Sequence, residues 1–259
     1  MGRFEGWRTA SLTVWVSALA LLAAGCGGGV AEEEQLAACQ TTTADGSVVV
    51  GSGAAGDPAA PEPSSGYRTG KEAVKTKSYM VVTANPLASK AGCEVLKNGG
   101  SAVDAAVAVQ MVLGLVEPQS SGLGGGAFML HYDAATKTVV SYDGRETAPT
   151  AATEDYLRWI SDTTRTTPVP TARASGRSIG TPGAVRMLAL AHADHGKLAW
   201  AELFQPGIDL ATHGFPISGR MADAIAGAAA NFQRDADAVA AYLNADGTPK
   251  ALGTTFTLP

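Results

Sequence analysis

Arg145 is the side chain in this sequence best placed to grip a small anion. It lies in Asp143-Gly144-Arg145-Glu146, just past a predicted strand end, and a guanidinium can hold a carboxylate through two parallel hydrogen bonds. From spacing alone the simpler reading is a surface ion pair with a flanking carboxylate, which contributes little. Upstream stands Gly122-Leu123-Gly124-Gly125-Gly126, followed by Ala127. Gly122-x-Gly124-x-x-Ala127 has the spacing of a dinucleotide loop, but such a loop must follow a strand and open a helix, so that the helix N-terminus meets the pyrophosphate. Here the order is helix, glycines, strand, and no Gly-Lys-Ser/Thr follows to make a phosphate loop. No cofactor is expected. Consecutive glycines instead let another backbone or a ligand press against the main chain, as tight packing or as the lining of a cleft.

Other reactive residue types are framed less well. Ser120 and Ser121 lie in Gln-Ser-Ser-Gly and lack the Gly-x-Ser-x-Gly frame of a strained nucleophile. His192 and His195 form His-x-x-His without the Glu of a zinc protease, so a solvated or core-edge role is expected. His131, on a predicted strand, is read as structural, with a cleft-facing role as the alternative. The cysteines, Cys26, Cys39 and Cys93, show no metal-ligand spacing. An exported protein can oxidise Cys39 with Cys93. The preferred expectation is Cys93 as a small buried hydrophobe on a helix and Cys39 unpaired.

The elements that must position these residues follow from pattern. Hydrophobic residues make up 46% of the 259 and charged residues 17%, enough for a sizeable core. The net charge of -5 argues against nucleic acid as a partner. Tyr79 to Ala84 is a β-rich run. Asn85-Pro86 then caps a helix that stops at Asn98-Gly99-Gly100. Ser101 and Asp104 have the spacing of a capping box before a helix over Ala102 to Val116, apolar nearly all round and so buried on more than one side. Ala127 to Tyr132 and Thr138 to Tyr142 read as a hairpin. Ser161 to Arg177 is a polar surface loop, Gly180-Thr181-Pro182-Gly183 opens an amphipathic helix, and helical spacing resumes from Leu203 until His213-Gly214. Ala222 to Leu243 is Ala-rich and helical. Thr254 to Pro259 is extended with no closing element in view, which suggests a truncated domain.

The N-terminal region reads differently. Arg3 and Arg8 precede an apolar run, Leu12 to Ala24, of signal-peptide rather than membrane-spanning length. It ends in Leu22-Ala23-Ala24-Gly25-Cys26, which resembles the lipobox of bacterial lipoproteins. Residues 1–26 are therefore expected to be a signal with Cys26 as the lipidation site, and an ordinary cleaved signal is the alternative. Residues 27–77 are expected to be a flexible tether: Asp57 to Ser65 is rich in Pro, Ala and Ser, and little there can offset the entropy of ordering. The expected location is the cell envelope, on a membrane through that lipid anchor.

Several motifs in order resemble the γ-glutamyltransferase (glutathione hydrolase) family over 78–259. They are Leu96 to Ala108, Pro118-Gln119 with Leu123 to Met129, Asp143-Gly144-Arg145-Glu146-Thr147-Ala148-Pro149, Gly180-Thr181-Pro182-Gly183, and Trp200 to Ser218 with Gly214-Phe215-Pro216. The resemblance implies an α/β (α+β) fold of the N-terminal nucleophile hydrolase type, a four-layer αββα sandwich that is incomplete in this chain. It implies γ-glutamyl transfer to water or an amino acid by a precursor that cleaves itself, freeing a Thr nucleophile on a smaller C-terminal subunit. It places Arg145 on the α-carboxylate of a small-molecule γ-glutamyl substrate. It implies no metal and no cofactor. The catalytic Thr belongs to a region beyond these residues, so no catalytic residue is expected in this chain, which is inactive alone on this reading. Two rivals stand beside it: a superfamily acylase acting on other amides, disfavoured by Arg145, and a truncated, non-catalytic lipoprotein.

Overall fold

The computed structural model describes Cys39, residues 76–169 and residues 171–258, all within the unit Leu36–Pro259. The signal-like stretch with Cys26, and the tether over 27–77 apart from Cys39, Thr76 and Lys77, lie outside the described residues.

Helix α1 spans Pro86–Lys97 and starts as its residues dictate. Asn85 is extended, its Oδ1 accepts from the Leu87 N–H at 3.0 Å, and Pro86 fills the first turn. Helix α2, Ala102–Val116, opens on a true capping box: Asp104 N–H donates to Ser101 Oγ at 3.0 Å, and Ser101 N–H to Asp104 Oδ2 at 2.7 Å. Its two sides feed two cores. Val112 and Val116 join Ala88 and Ala91 of α1 with Phe215, Ile217 and Met221, whereas Ala105, Val107, Ala108 and Met111 pack with Met187, Leu188 and Leu203. A helix apolar nearly all round must be buried on both sides, and this one is.

Strands β1 (Ala127–Asp133) and β2 (Thr138–Gly144) form the expected antiparallel hairpin, in register from Ala127 opposite Gly144 to Asp133 opposite Thr138. Helix α3, Ala184–His195, lies on its inner face, where Ala127, Met129 and Tyr142 pack against the second core. A 3₁₀ turn at Trp200–Phe204 leads into α4 (Gln205–His213), which ends at Gly214 with a φ of 88°. Then come β3 (Phe215–Pro216), α5 (Gly219–Phe232), α6 (Ala236–Tyr242) and β4 (Thr255–Phe256). The described strands thus make two small antiparallel sheets, β1–β2 and β3–β4, in a mixed helix-and-strand fold. Among the described residues no helix is long and apolar enough to cross a membrane.

Four expectations are corrected. Tyr79 to Ala84 forms no strand, because among the described residues no neighbour pairs with it and a strand exists only through its ladder. Ala222 to Leu243 is two helices. Asp235 is extended and accepts from the Ala238 N–H at 2.8 Å, capping α6 instead of continuing α5. The break folds Tyr242 back onto Phe232, with ring centroids 4.9 Å apart. The extended stretch after Thr254 does have a partner: Thr255 and Phe256 pair with Pro216 and Phe215, and the Phe256 side chain is fully buried. Finally, Cys39 and Cys93 are bonded to each other, with Cα atoms 5.4 Å apart. Cys93 follows the buried Gly92 but is itself only half-buried, so its sulfur is open to the segment that carries Cys39.

Asp104 does more than cap α2. Its Oδ2 also accepts from the Lys197 N–H at 2.9 Å and the Leu198 N–H at 3.3 Å, tying the turn after α3 to the start of α2. Its Oδ1 is buried 3.4 Å from His192 Nε2, which itself donates to the Leu198 carbonyl at 2.9 Å. Burial works to raise the Asp104 carboxyl, but the N–H groups of Ser101, Lys197 and Leu198 outweigh it and hold it below the ordinary carboxylate range. A depressed folded-state value means stability that is present above the unfolded value of about 3.9 and is lost as pH falls through the folded one. Asp104→Asn is therefore expected to cost about 2–3 kcal/mol at pH 7 and to blunt the loss of stability below about pH 4. Denaturant titrations at several pH values measure both; an unchanged acid limb would disprove the assignment.

Candidate functional site

Strand β2 delivers Arg145 to the surface. Its N–H donates to Asp143 Oδ1 at 2.9 Å, turning the chain as it leaves the hairpin. The guanidinium Nε lies 3.5 Å from Glu146 Oε2, and the Arg145 side chain is 70% exposed. Among the described residues nothing engages its two outer nitrogens. The ion pair anticipated from spacing exists, but it occupies Nε and leaves the fork of the guanidinium open.

Glu146 explains the glycines. A Cβ on Gly126 would sit 2.4 Å from Glu146 Oε2 and 2.7 Å from its backbone nitrogen; one on Gly180 would sit 2.7 Å from Glu146 Cβ. The Glu146 side chain is pressed against bare backbone from two segments, its carboxylate by Gly126 and its stem by Gly180. Its own N–H, then Arg145 and the Gly126 N–H, hold its carboxyl below the ordinary range despite partial desolvation, so it stays anionic beside Arg145. Oε2 is buried without a well-aligned hydrogen bond. The choice left open for the glycine loop resolves here: at Gly126 the glycine serves close packing, and the packed group is the neighbour of Arg145.

The segment 180–184 closes the arrangement. Gly183 and Ala184 N–H groups donate to the Gly125 carbonyl at 3.2 and 3.1 Å, and Thr181 N–H donates to the Thr147 carbonyl at 2.9 Å. The start of α3, the glycine loop and the end of β2 therefore meet around Glu146, so the rigid hairpin and helix set where Arg145 projects. In the sequence Glu146 is only a charge flanking Arg145. Nothing local pairs residue 126 with residue 146.

The remaining candidates sit elsewhere. Ser120 and Ser121 donate their N–H groups to the Glu117 carbonyl as part of a turn. His131 stacks on His195 with centroids 3.8 Å apart, and Tyr142 donates to Asp194 at 2.8 Å while lying 2.8 Å from His195 Nε2. This cluster fastens the hairpin to the end of α3. His192 packs edge-on against Trp200 beside Asp104. Among the described residues no group of His, Cys, Asp or Glu is arranged to hold a metal ion.

Gly126→Ala is expected to destabilise the fold by about 2–3 kcal/mol, since its neighbour is backbone as well as side chain. Gly124→Ala, whose Cβ would meet nothing within 4 Å, is expected to change stability by less than about 0.5 kcal/mol. Thermal or chemical unfolding of the two variants decides it, and equal effects would contradict the packing account.

The family profile described as Gamma-glutamyltranspeptidase matches residues 88–259. Glutathione hydrolase proenzyme of Bacillus subtilis is 41% identical over 166 residues, covering 64% of this chain and 28% of that protein. The crystal structure of Helicobacter pylori gamma-glutamyltranspeptidase superposes with a TM-score of 0.64 at 28% identity, covering 72% of this chain and 52% of that one. Gamma-glutamyltranspeptidase from Pseudomonas nitroreducens, complexed with L-DON, gives a TM-score of 0.60 at 31% identity over 71% of this chain and 52% of its own. The chain thus spans between a quarter and just over half the length of these relatives. With the profile running from α1 to β4 and the same fold recovered in solved members, the chain belongs to the gamma-glutamyltranspeptidase family.

Proposed function

We propose that this chain forms part of an enzyme that moves a γ-glutamyl group from glutathione or a related γ-glutamyl compound to water or an amino acid. The observation that carries the reading is Arg145, steadied at Nε by an anionic Glu146 and otherwise open, as a two-pronged grip on the substrate α-carboxylate requires. The relatives' names, glutathione hydrolase and gamma-glutamyltranspeptidase, support the same donor.

The chemistry needs a nucleophile, which on this reading is a Thr freed at the N-terminus of a smaller C-terminal subunit when the precursor cleaves itself. The Thr hydroxyl attacks the γ-carbonyl and its own amine takes the proton. The departing amine leaves protonated, and water or an amino acid then receives the acyl group. The word proenzyme in a relative's name supports such processing. The outer face of the hairpin supports a partner of this kind: Phe128, Leu130, Tyr132 and Val139 are between 60% and 74% exposed, an apolar sheet face of the sort that another layer covers.

Export with a lipid on Cys26 is part of the proposal. It rests on the apolar run Leu12 to Ala24 before the lipobox-like Leu22-Ala23-Ala24-Gly25-Cys26. The Cys39–Cys93 disulfide supports it too, since such bonds persist in oxidising compartments.

In the precursor that contains this chain, Arg145→Ala is expected to raise KM for a γ-glutamyl anilide enough to lower kcat/KM roughly 30- to 100-fold, while self-cleavage proceeds nearly unchanged. Steady-state kinetics and gel analysis of processing test it, and wild-type kinetics in the variant would end the carboxylate role. Cys26→Ser is expected to move the protein from the membrane to the soluble fraction of fractionated cells; retention on membranes would rule out lipidation there.

A further inference from the structure

Between β2 and α3, residues 163–179 are not used by the site, and their charged side chains are all cationic. No Asp or Glu occurs between Asp162 and Asp194, while Arg165, Arg173, Arg177 and Arg186 do, in a chain of net charge -5. The loop is also built. Arg177 turns inward: Nη1 donates to the Tyr156 carbonyl at 2.9 Å, Nη2 donates to that of Ile160, and the guanidinium lies 5.0 Å from the Tyr156 ring centroid. Ile160 N–H donates to the Thr166 carbonyl at 2.9 Å, and the Ser178 hydroxyl to the Arg173 carbonyl at 2.8 Å. These bonds fix the backbone around Arg165 and Arg173. Both side chains are exposed, and neither has an acidic partner within ion-pair distance among the described residues.

Large apolar side chains stand out from the same loop. Val169 is 79% exposed and Ile179 is 61% exposed. Unneutralised cations and exposed apolar side chains in one loop are what an anionic bilayer surface rewards, through headgroup attraction and shallow insertion together. Nucleic acid asks for cations without the apolar tips, and for a basic domain, which this acidic chain is not.

We propose that the loop over 161–179 docks on anionic phospholipid headgroups, with Arg165 and Arg173 meeting phosphates and Val169 and Ile179 entering the interface. The contact is independent of γ-glutamyl chemistry and of acylation at Cys26, and its test keeps it so. Hydrogen exchange of the full chain is followed without vesicles, on phosphatidylcholine vesicles and on vesicles that also contain phosphatidylglycerol; an N-terminal anchor serves both vesicle types alike. Amides of 161–179 are expected to exchange at least about fivefold more slowly on the anionic vesicles, given roughly a fivefold gain per basic residue at such a surface. Arg165→Gln with Arg173→Gln, or salt of about 0.5 M, is expected to abolish the difference. Equal exchange on both vesicle types, or protection that persists in the double variant, overturns the proposal. Protection already complete without vesicles also overturns it and assigns the loop to a protein contact.

Discussion

Helix α2 is the member against which the described structure is assembled, and Asp104 fixes where it begins. One buried carboxylate accepts from Ser101 at the helix start and from Lys197 and Leu198 after α3. It therefore sets the angle at which α3 returns past α2, and α3 carries the inner face of the hairpin that ends in Arg145. A buried carboxylate is tolerable only when its lone pairs are met. Backbone donors from two distant segments meet those of Oδ2, so the charge that would be a liability in the core becomes the tie between its parts.

The second constraint is steric. Gly126, Gly180 and Gly183 lie where three segments come together, and at each a Cβ would strike backbone or the Glu146 side chain. Removing side chains there brings main chain within reach of main chain, so Glu146 is seated by shape as well as by charge. Arg145 inherits that rigidity. Its own packing is slight, and its direction comes from the turn at Asp143 and from the anion beside it. A flexible cation held at one nitrogen loses less freedom when it closes on a ligand, which is how a mostly exposed Arg can serve recognition rather than a weak surface pair.

Much of this is legible in the sequence because its causes are local. Asn85-Pro86 and Ser101 with Asp104 announce helix starts through bonds made within three residues, and the structure has both. The hairpin was equally plain, since alternation and a turn lie within one short span. What the sequence leaves open has the opposite character. Tyr79 to Ala84 has strand composition but no described partner, and composition cannot supply a partner. Ala222 to Leu243 has helical composition throughout because alanines dominate, yet Asp235 caps a second helix there. Pattern offers the Cys39–Cys93 pair but does not select it, since the two lie 54 residues apart and no periodicity states how exposed Cys93 is on its helix.

The residues themselves settled which chemistry was on offer: an Arg after a strand, glycines in the wrong order for a nucleotide, and a run of motifs in family order. Residue type, spacing and order are one-dimensional properties, so one dimension suffices to read them. That the glycines exist for Glu146, that Glu146 steadies Arg145, that Asp104 reaches Leu198, and that Cys39 finds Cys93 were set only when the chain folded back on itself. Each depends on atoms brought together from separate segments, where contact distance and burial, rather than residue type, determine what a group does.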